Sequence, residues 1–275
     1  VKWAGGKRQI LNQLICRLPS QWEHYYEPFV GGGALLIALW SSGRVEEATI
    51  SDANFELVNL YQVIRDQPDN LLQAMNNPFF ENTRERYLEL RHLYNQMRGN
   101  PASIVERAVL LLYLNRHGYN GLWRVNRKGE FNVPFGKYRS PSLPSEDLIL
   151  AFSRMLKKVD IRECDFAETA KKAKKGDFVY CDPPYHPLSR TSRFTAYHSK
   201  GFSYLDQVRL SEVGRALKKR GVSVMISNSR TPEICHLYRD FHQEVIQASR
   251  SINSRGDRRS GIPEVIFTSY KPDNK

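Results

Sequence analysis

Two periodicities divide this chain. Residues Tyr25-Tyr26-Glu27-Pro28-Phe29-Val30 read as an extended stretch that runs into Gly31, Gly32 and Gly33, and the apolar run Ala34 to Trp40 reads as a helix. A short strand, Ala48 to Ser51, follows and is closed by Asp52. Strand, glycine turn, helix, strand and acid make the opening βαβ unit of a nucleotide-type α/β fold. The period then changes. Leu57, Leu60, Tyr61 and Ile64 fall at helical spacing, and a second helix is predicted with Asn82 as cap and Glu85 three residues on, carrying Tyr87, Leu90, Tyr94 and Met97 on one face. A third, Ala102 to Asn115, is apolar almost all round and should be buried. Residues 116–139 read as irregular and basic, with six lysines and arginines against the single acid Glu130. Alternation of the α/β kind resumes at Asp177 to Cys181, a strand ending in Asp182-Pro183-Pro184-Tyr185. A polar loop follows, longer than an ordinary connection and so a candidate active-site element. Ser203 should cap a helix bearing Leu210, Val213 and Leu217, stopped by Lys218-Lys219-Arg220 and Gly221. Strands at Gly221 to Ser227 and Glu264 to Tyr270 complete the pattern. Residues 1–56 and 144–275 are thus expected to form an α/β domain, with 57–143 a helical insertion tipped by a basic loop.

Composition adds limits. A chain of 275 residues holds one large domain or one carrying an inserted second. With 41% hydrophobic residues it can build a packed core. No apolar run approaches the roughly 20 residues that span a bilayer, so no membrane association is expected. No secretory leader is visible, and because the chain begins at Val1 rather than Met a short upstream piece is expected. Lysine and arginine outnumber acids 41 to 29, a formal charge of +12, which favours polyanionic partners. Cys16, Cys164, Cys181 and Cys235 form no C-x-x-C pair and fit neither a zinc site nor a disulfide framework, so reduced thiols are expected. No His/Asp/Glu cluster suggests a metal.

Two motifs carry chemistry. Glycines at a strand-to-helix turn let backbone approach a ligand, and an acid ending the next strand can accept hydrogen bonds from both hydroxyls of a ribose. Here the pattern departs from G-x-G-x-x-G, since position 36 is Leu, and it lacks the G-K-[ST] of a phosphate loop. An adenosyl ligand without pyrophosphate fits better, although a tight turn without any ligand satisfies the same glycines. Asp182-Pro183-Pro184-Tyr185 is sharper. Two prolines end strand pairing and expose a rigid row of acceptors, the Asp182 carboxylate and the Pro183 carbonyl, next to an aromatic ring. That set suits a planar ring bearing an exocyclic amine. The bland alternative is a proline-rich strand terminus. Cys181 invites a nucleophilic reading, but strand alternation points it away from the face used by Asp182.

The early Phe29-Val30-Gly31-Gly32-Gly33 and the late Asp182-Pro183-Pro184-Tyr185 together resemble the amino-group DNA methyltransferases that use S-adenosylmethionine. Lys2-Trp3-Ala4-Gly5-Gly6-Lys7, Glu27 to Gly33, Leu114 to Leu122, Phe131 to Gly136 and Phe194 to Tyr197 are more closely similar to the Dam-type adenine-N6 enzymes acting on GATC. The resemblance runs from Lys2 to Tyr270, and the fold it implies is a Rossmann-like methyltransferase sheet with an inserted helical target-recognition domain.

The same resemblance implies roles. Trp3, Lys7, Phe29, Gly31, Gly33, Asp52, Asp165, Phe166 and Asp182 would line the cofactor pocket, with Asp52 on the ribose and Phe166 against adenine. Asp182, Pro183 and Tyr185 would hold the target base, flipped out of the duplex, during direct in-line methyl transfer that yields S-adenosylhomocysteine. Lys2 would read the first guanine, and Tyr119 to Arg124 would enter the major groove with Arg124 as a guanine reader. Leu122 and Pro134 suit a thymine methyl, and Tyr119 can stack on the partner thymine left unpaired when adenine leaves the helix. Arg116, Asn120, Asn126, Asn132 and Lys137 complete the expected DNA contacts. Lys137 stands where arginine is frequent in relatives, and His117 where tyrosine is often found; His117 reads as a packing or phosphate-facing residue rather than a base. The expected partner is double-stranded DNA, bound by a cytoplasmic monomer of bacterial or phage origin. Cytosine N4, an RNA base or a protein glutamine are alternative acceptors, and a DNA-binding module without catalysis is a third reading.

Overall fold

In a computed structural model, Trp3 and residues 7–76, 78–186, 202–248 and 262–272 are described. The chain divides into two compact units, one of Asn54–Glu163 with the N-terminal Val1–Gly6, the other of Lys7–Ala53 with Cys164–Lys275.

The second unit begins with α1 (Leu11–Ile15), β1 (Tyr25–Glu27), α2 (Ala34–Ser41) and β2 (Ala48–Asp52). β1 is shorter than the extended stretch expected. Beyond Glu27, Pro28 has no N–H, and the Val30 N–H turns to the carbonyl of Ser51. The chain then enters the helical unit: α3 (Phe55–Asp66), α4 (Pro68–Met75), α5 (Arg84–Gln96), α6 (Ile104–His117), α7 (Glu146–Leu156) and β3 (Val159–Glu163). It returns with α8 (Phe166–Ala170), β4 (Phe178–Cys181), α9 (Tyr204–Arg220), β5 (Ser223–Ser229), α10 (Pro232–Leu237), β6 (His242–Ala248) and β7 (Ile262–Thr268).

Strand order is β3-β2-β1-β4-β5-β7-β6. β1 pairs parallel with β2 and with β4, and β4 parallel with β5, whereas β7 runs antiparallel between β5 and β6. This is a doubly wound, Rossmann-like α/β sheet. Order reverses at β1 and β4, and a crevice for ligand opens beyond the carboxyl ends of strands at such a switch point. All four residues of β4 are buried, as expected for a central parallel strand covered on both faces. Ser203 and Asp206 close a capping box on α9, and Gly221 ends it at φ 83°, the left-handed conformation that glycine tolerates.

In the helical unit, α6 is buried almost all round, including Arg107, which pairs with Glu56 and lies 5.0 Å from the Tyr94 ring centroid. The cap of α5 is Thr83, not Asn82: Thr83 is extended and its hydroxyl accepts from the Arg86 N–H, while Asn82 donates to the Tyr138 carbonyl. Met97 lies past the end of that helix as its C-cap. The compact unit reaches Glu163 rather than residue 143, because α3 packs against α7 and β3 as well as α6.

Candidate active site and nucleic-acid interface

At the end of β1 the chain turns through Gly31 (φ 47°) and Gly33 (φ 65°) into α2. A side chain at either position would strain the backbone. Asp52, ending β2, accepts the Gly31 N–H at 3.1 Å, so the acid and the glycine turn are one structure. Phe29 stacks on Phe166 with centroids 5.3 Å apart, and Phe202 meets Phe29 edge-on at 5.5 Å. Arg209 covers Phe166 at 4.4 Å and pairs with Asp165 at 2.6 Å. The Asp165 carboxylate also caps α8 by accepting the Ala167 N–H. Its expected place beside the cofactor therefore coincides with two structural duties.

Asp182 follows β4 directly. Its carboxylate lies 2.8 Å from the Lys7 ammonium, which also stands 4.3 Å over the Tyr185 ring. The Tyr185 phenol donates to Glu264 at 2.8 Å. Burial raises the Asp182 pKa to about 6 against the lowering effect of Lys7, with Glu264 adding to the rise. Glu27, at the end of neighbouring β1, is raised to about 8 by burial and by the Asp182 charge, despite a hydrogen bond from the Tyr25 hydroxyl. Cys181 lies in the core with Phe166 and Tyr238, and burial pushes its thiol up, which disfavours the thiolate a nucleophile needs. Lys7, Asp182 and Tyr185 are thus gathered at the carboxyl end of β4, which pairs parallel with the β1 strand that leads into the Gly31–Asp52 turn.

Trp3 belongs to the helical unit, where it stacks on Trp123 at 5.8 Å. Lys2 and Phe194 to Tyr197 lie outside the described residues. Glu264 and the buried amides of Gln207 and Asn228 carry no sequence signal, since none stands in a motif. Glu27 does stand in one, and a carboxylate ending a central parallel strand was the signal that could have marked it. Among the described residues, no group of three or more His, Cys, Asp or Glu side chains could hold a metal.

In the helical unit, residues 118–139 form a loop with two isolated bridges, Gly118 to Phe135 and Val125 to Phe131. One face of α5 grips its backbone: the Tyr87 hydroxyl and Arg91 donate to the Val133 carbonyl, and Asn95 exchanges two hydrogen bonds with Phe131. Gly118 has no room for a side chain, since a Cβ there would meet the Leu114 carbonyl oxygen at 2.5 Å. Asn126 organises the tip, accepting from the Lys128 and Glu130 N–H groups and donating to the Glu130 carboxylate. Arg124 is exposed, and its Nε and Nη2 donate to the side chain and carbonyl of Asn132. Neither of those bonds uses Nη1, so the guanidinium keeps donors for a further acceptor. Arg116 donates to the Ser142 carbonyl. Tyr119 is 47% exposed, Leu122 is half-buried, Pro134 and Lys137 are exposed, and Asn120 and Lys137 adopt positive φ, rare for residues other than glycine. His117 is 3% exposed and stacks on Tyr113 at 3.9 Å, with burial lowering its pKa, so it packs rather than acts as a base.

Comparison with known proteins gives a consistent set. Residues 3–252 match the family described as D12 class N6 adenine-specific DNA methyltransferase. The chain is 43% identical over 271 residues to the type II methyltransferase M1.LlaDCHI of Lactococcus lactis subsp. cremoris, spanning 98% of this chain and 94% of that protein. It is 39% identical over 284 residues to the type II methyltransferase M.MjaIII of Methanocaldococcus jannaschii, with 98% of both chains covered. It is 37% identical over 274 residues to the DNA adenine methylase of Escherichia coli K12, with 99% and 95% covered.

Proposed function

Because this chain belongs to the D12 class N6 adenine-specific DNA methyltransferases, we propose that it methylates adenine N6 in double-stranded GATC, using S-adenosylmethionine and acting on a base turned out of the helix. The observation that carries this reading is the meeting of two motifs at the ends of neighbouring strands: the Gly31–Asp52 turn beyond β1 and the Asp182 carboxylate beyond β4. The glycine backbone at Gly31 and Gly33 and the Asp52 carboxylate suit an adenosyl group, and Phe166, stacked on Phe29 and covered by Arg209, would exchange one of those contacts for the adenine ring.

When bound, S-adenosylmethionine supplies a methyl group on a sulfonium. The work of the chain is to prepare its acceptor. Adenine N6 is a poor nucleophile because its lone pair is delocalised into the ring. The Asp182 carboxylate and the Pro183 carbonyl accept the two N6 hydrogens and favour a pyramidal nitrogen, Tyr185 offers its face to the base, and once N6 is methylated it gives up one of those hydrogens as a proton through Asp182 to solvent. The Lys7 ammonium covers one face of that ring and pairs with the Asp182 carboxylate, so the base takes the other face or displaces Lys7. Holding acceptor and donor in line supplies most of the acceleration, and no covalent enzyme intermediate is needed. On the DNA, Arg124 reads guanine, Leu122 and Pro134 meet thymine methyls, Tyr119 stacks on the thymine left unpaired, and Lys137 meets phosphate. Lys2 reads the first guanine. A monomer suffices, since each strand can be methylated separately.

Purified protein incubated with methyl-labelled cofactor tests this. Label should enter adenine of GATC duplexes and not duplexes with one base changed. Label in cytosine or RNA would move the acceptor; DNA binding without label would leave a binding module.

A further inference from the structure

Pro183 and Pro184 have no N–H, so the segment beyond β4 cannot be held by a strand ladder. Side chains from elsewhere hold it instead. Gln207, on α9, donates its Nε2 to the Pro184 carbonyl at 2.9 Å. The Nδ2 of Asn228, on β5, donates to Gln207 Oε1 at 2.9 Å. Asn228 Oδ1 accepts the His186 N–H at 3.3 Å and the Ser229 N–H at 2.8 Å, and the Ser229 hydroxyl donates to the His186 carbonyl at 2.6 Å. Backbone groups on both sides of Tyr185 are thereby fixed. Gln207, Asn228 and Ser229 are 1%, 0% and 1% exposed.

The relay has one polarity. Asn228 receives two backbone N–H groups on its oxygen, so its nitrogen must face Gln207. The Gln207 oxygen must then accept, which turns its nitrogen to the Pro184 carbonyl. Reversing either amide would set donor against donor between fully buried side chains. β7 adds the last restraint: its register places Glu264 opposite Ser229, and Glu264 takes the Tyr185 phenol.

We propose that Gln207 and Asn228 are positioning residues for methyl transfer, whose relayed amides set the Tyr185 ring and the Asp182–Pro183 acceptor row for the incoming base. The proposal rests on the reading of Tyr185 as the ring that meets the target adenine. Both amides are buried and reach the segment through its backbone, so their effect should fall on the chemical step and not on binding.

The test compares Gln207→Leu, Asn228→Asp and Tyr185→Ala by single-turnover methylation, cofactor and DNA affinity, thermal melting, and the emission of 2-aminopurine placed at the target adenine. Gln207→Leu should slow methylation about 10–100-fold, the scale of an ångström-sized misplacement, with affinities within about threefold of wild type. Its 2-aminopurine emission should rise as the extruded base loses its partner ring. Asn228→Asp keeps the oxygen that accepts from His186 and Ser229 but sets an acceptor in place of the donor to Gln207 Oε1, so its rate should fall at least as far as that of Gln207→Leu; it decides the matter should Gln207→Leu melt below assay temperature. A folded Gln207→Leu with a rate within about threefold of wild type, or slowed with unchanged emission, overturns the proposal. Wild-type rate and emission in Tyr185→Ala would instead overturn the reading of Tyr185 itself, a distinguishable failure.

Discussion

Segment 182–186 and loop 118–139 both run without a regular ladder, yet they are held differently. The first is braced from outside by Gln207, Asn228 and Ser229, all buried. The tip of the second is braced by its own Asn126 and by the exposed pair Arg124 and Asn132. Buried hydrogen bonds are unscreened and costly to break, so they impose one geometry, whereas exposed ones exchange with water or a ligand at little cost. One arrangement suits chemistry that tolerates little displacement; the other suits a reader that must exchange protein partners for bases.

If that contrast holds, the largest effect belongs to Asp182. Asp182→Ala should keep GATC affinity and lose methyl transfer by about 1,000-fold or more, because its interaction tightens in the transition state. Single-turnover rates check this, and a loss within about tenfold would break the contrast. The pH profile of wild-type kcat/KM should fall as pH drops through about 6, where Asp182 takes up a proton and gives up its acceptor charge. Lys7 lowers that pKa, so Lys7→Met should move the acid limb to higher pH.

Arg124→Ala comes next, with about 1–3 kcal/mol of discrimination lost at one base pair and much less change on non-cognate DNA. Competition between GATC and singly substituted duplexes measures it. Asn132→Ala, which frees the guanidinium without removing it, should lose a smaller share of the same discrimination. Equal losses on every duplex would make Arg124 a phosphate clamp.

Glu27 shows what the buried end of the sheet costs. Its pKa is raised from 4.5 to about 8, so between those values the native state holds a proton that the unfolded chain has released. Stability from this group is therefore greatest below about pH 4.5 and falls as pH rises toward about 8. Glu27→Gln mimics the protonated form, so its melting temperature should exceed wild type at pH 8, by about 2–4 °C for each kcal/mol relieved, and the gap should close toward pH 4.5. A gap that widens as pH falls would reverse the assignment. The smallest effect is expected at exposed Lys137: Lys137→Ala should weaken cognate and non-cognate binding alike and reduce the salt slope by about one unit in a titration series.

Local patterns in the sequence were enough for the α/β alternation, the glycine turn with Asp52, the Ser203 cap with its Gly221 stop, the buried α6 and the Asp182 motif, because each follows from a periodicity or from the stereochemistry of glycine and proline. They were also enough for the family, through motifs in order along nearly the whole chain. Other features depended on residues far apart in sequence. The antiparallel insertion of β7 between β5 and β6, and with it Glu264 against Tyr185, has no local signature. Nor has the relay from Gln207 through Asn228 to His186, since an amide in a helix and an amide in a strand look unremarked until the fold buries them together. The commitments of Asp165 to a helix cap and of Arg124 to Asn132 likewise appear only in three dimensions. Sequence chemistry names the groups that can react or recognise; burial and hydrogen-bond partners, which only the tertiary structure supplies, decide how firmly each is held.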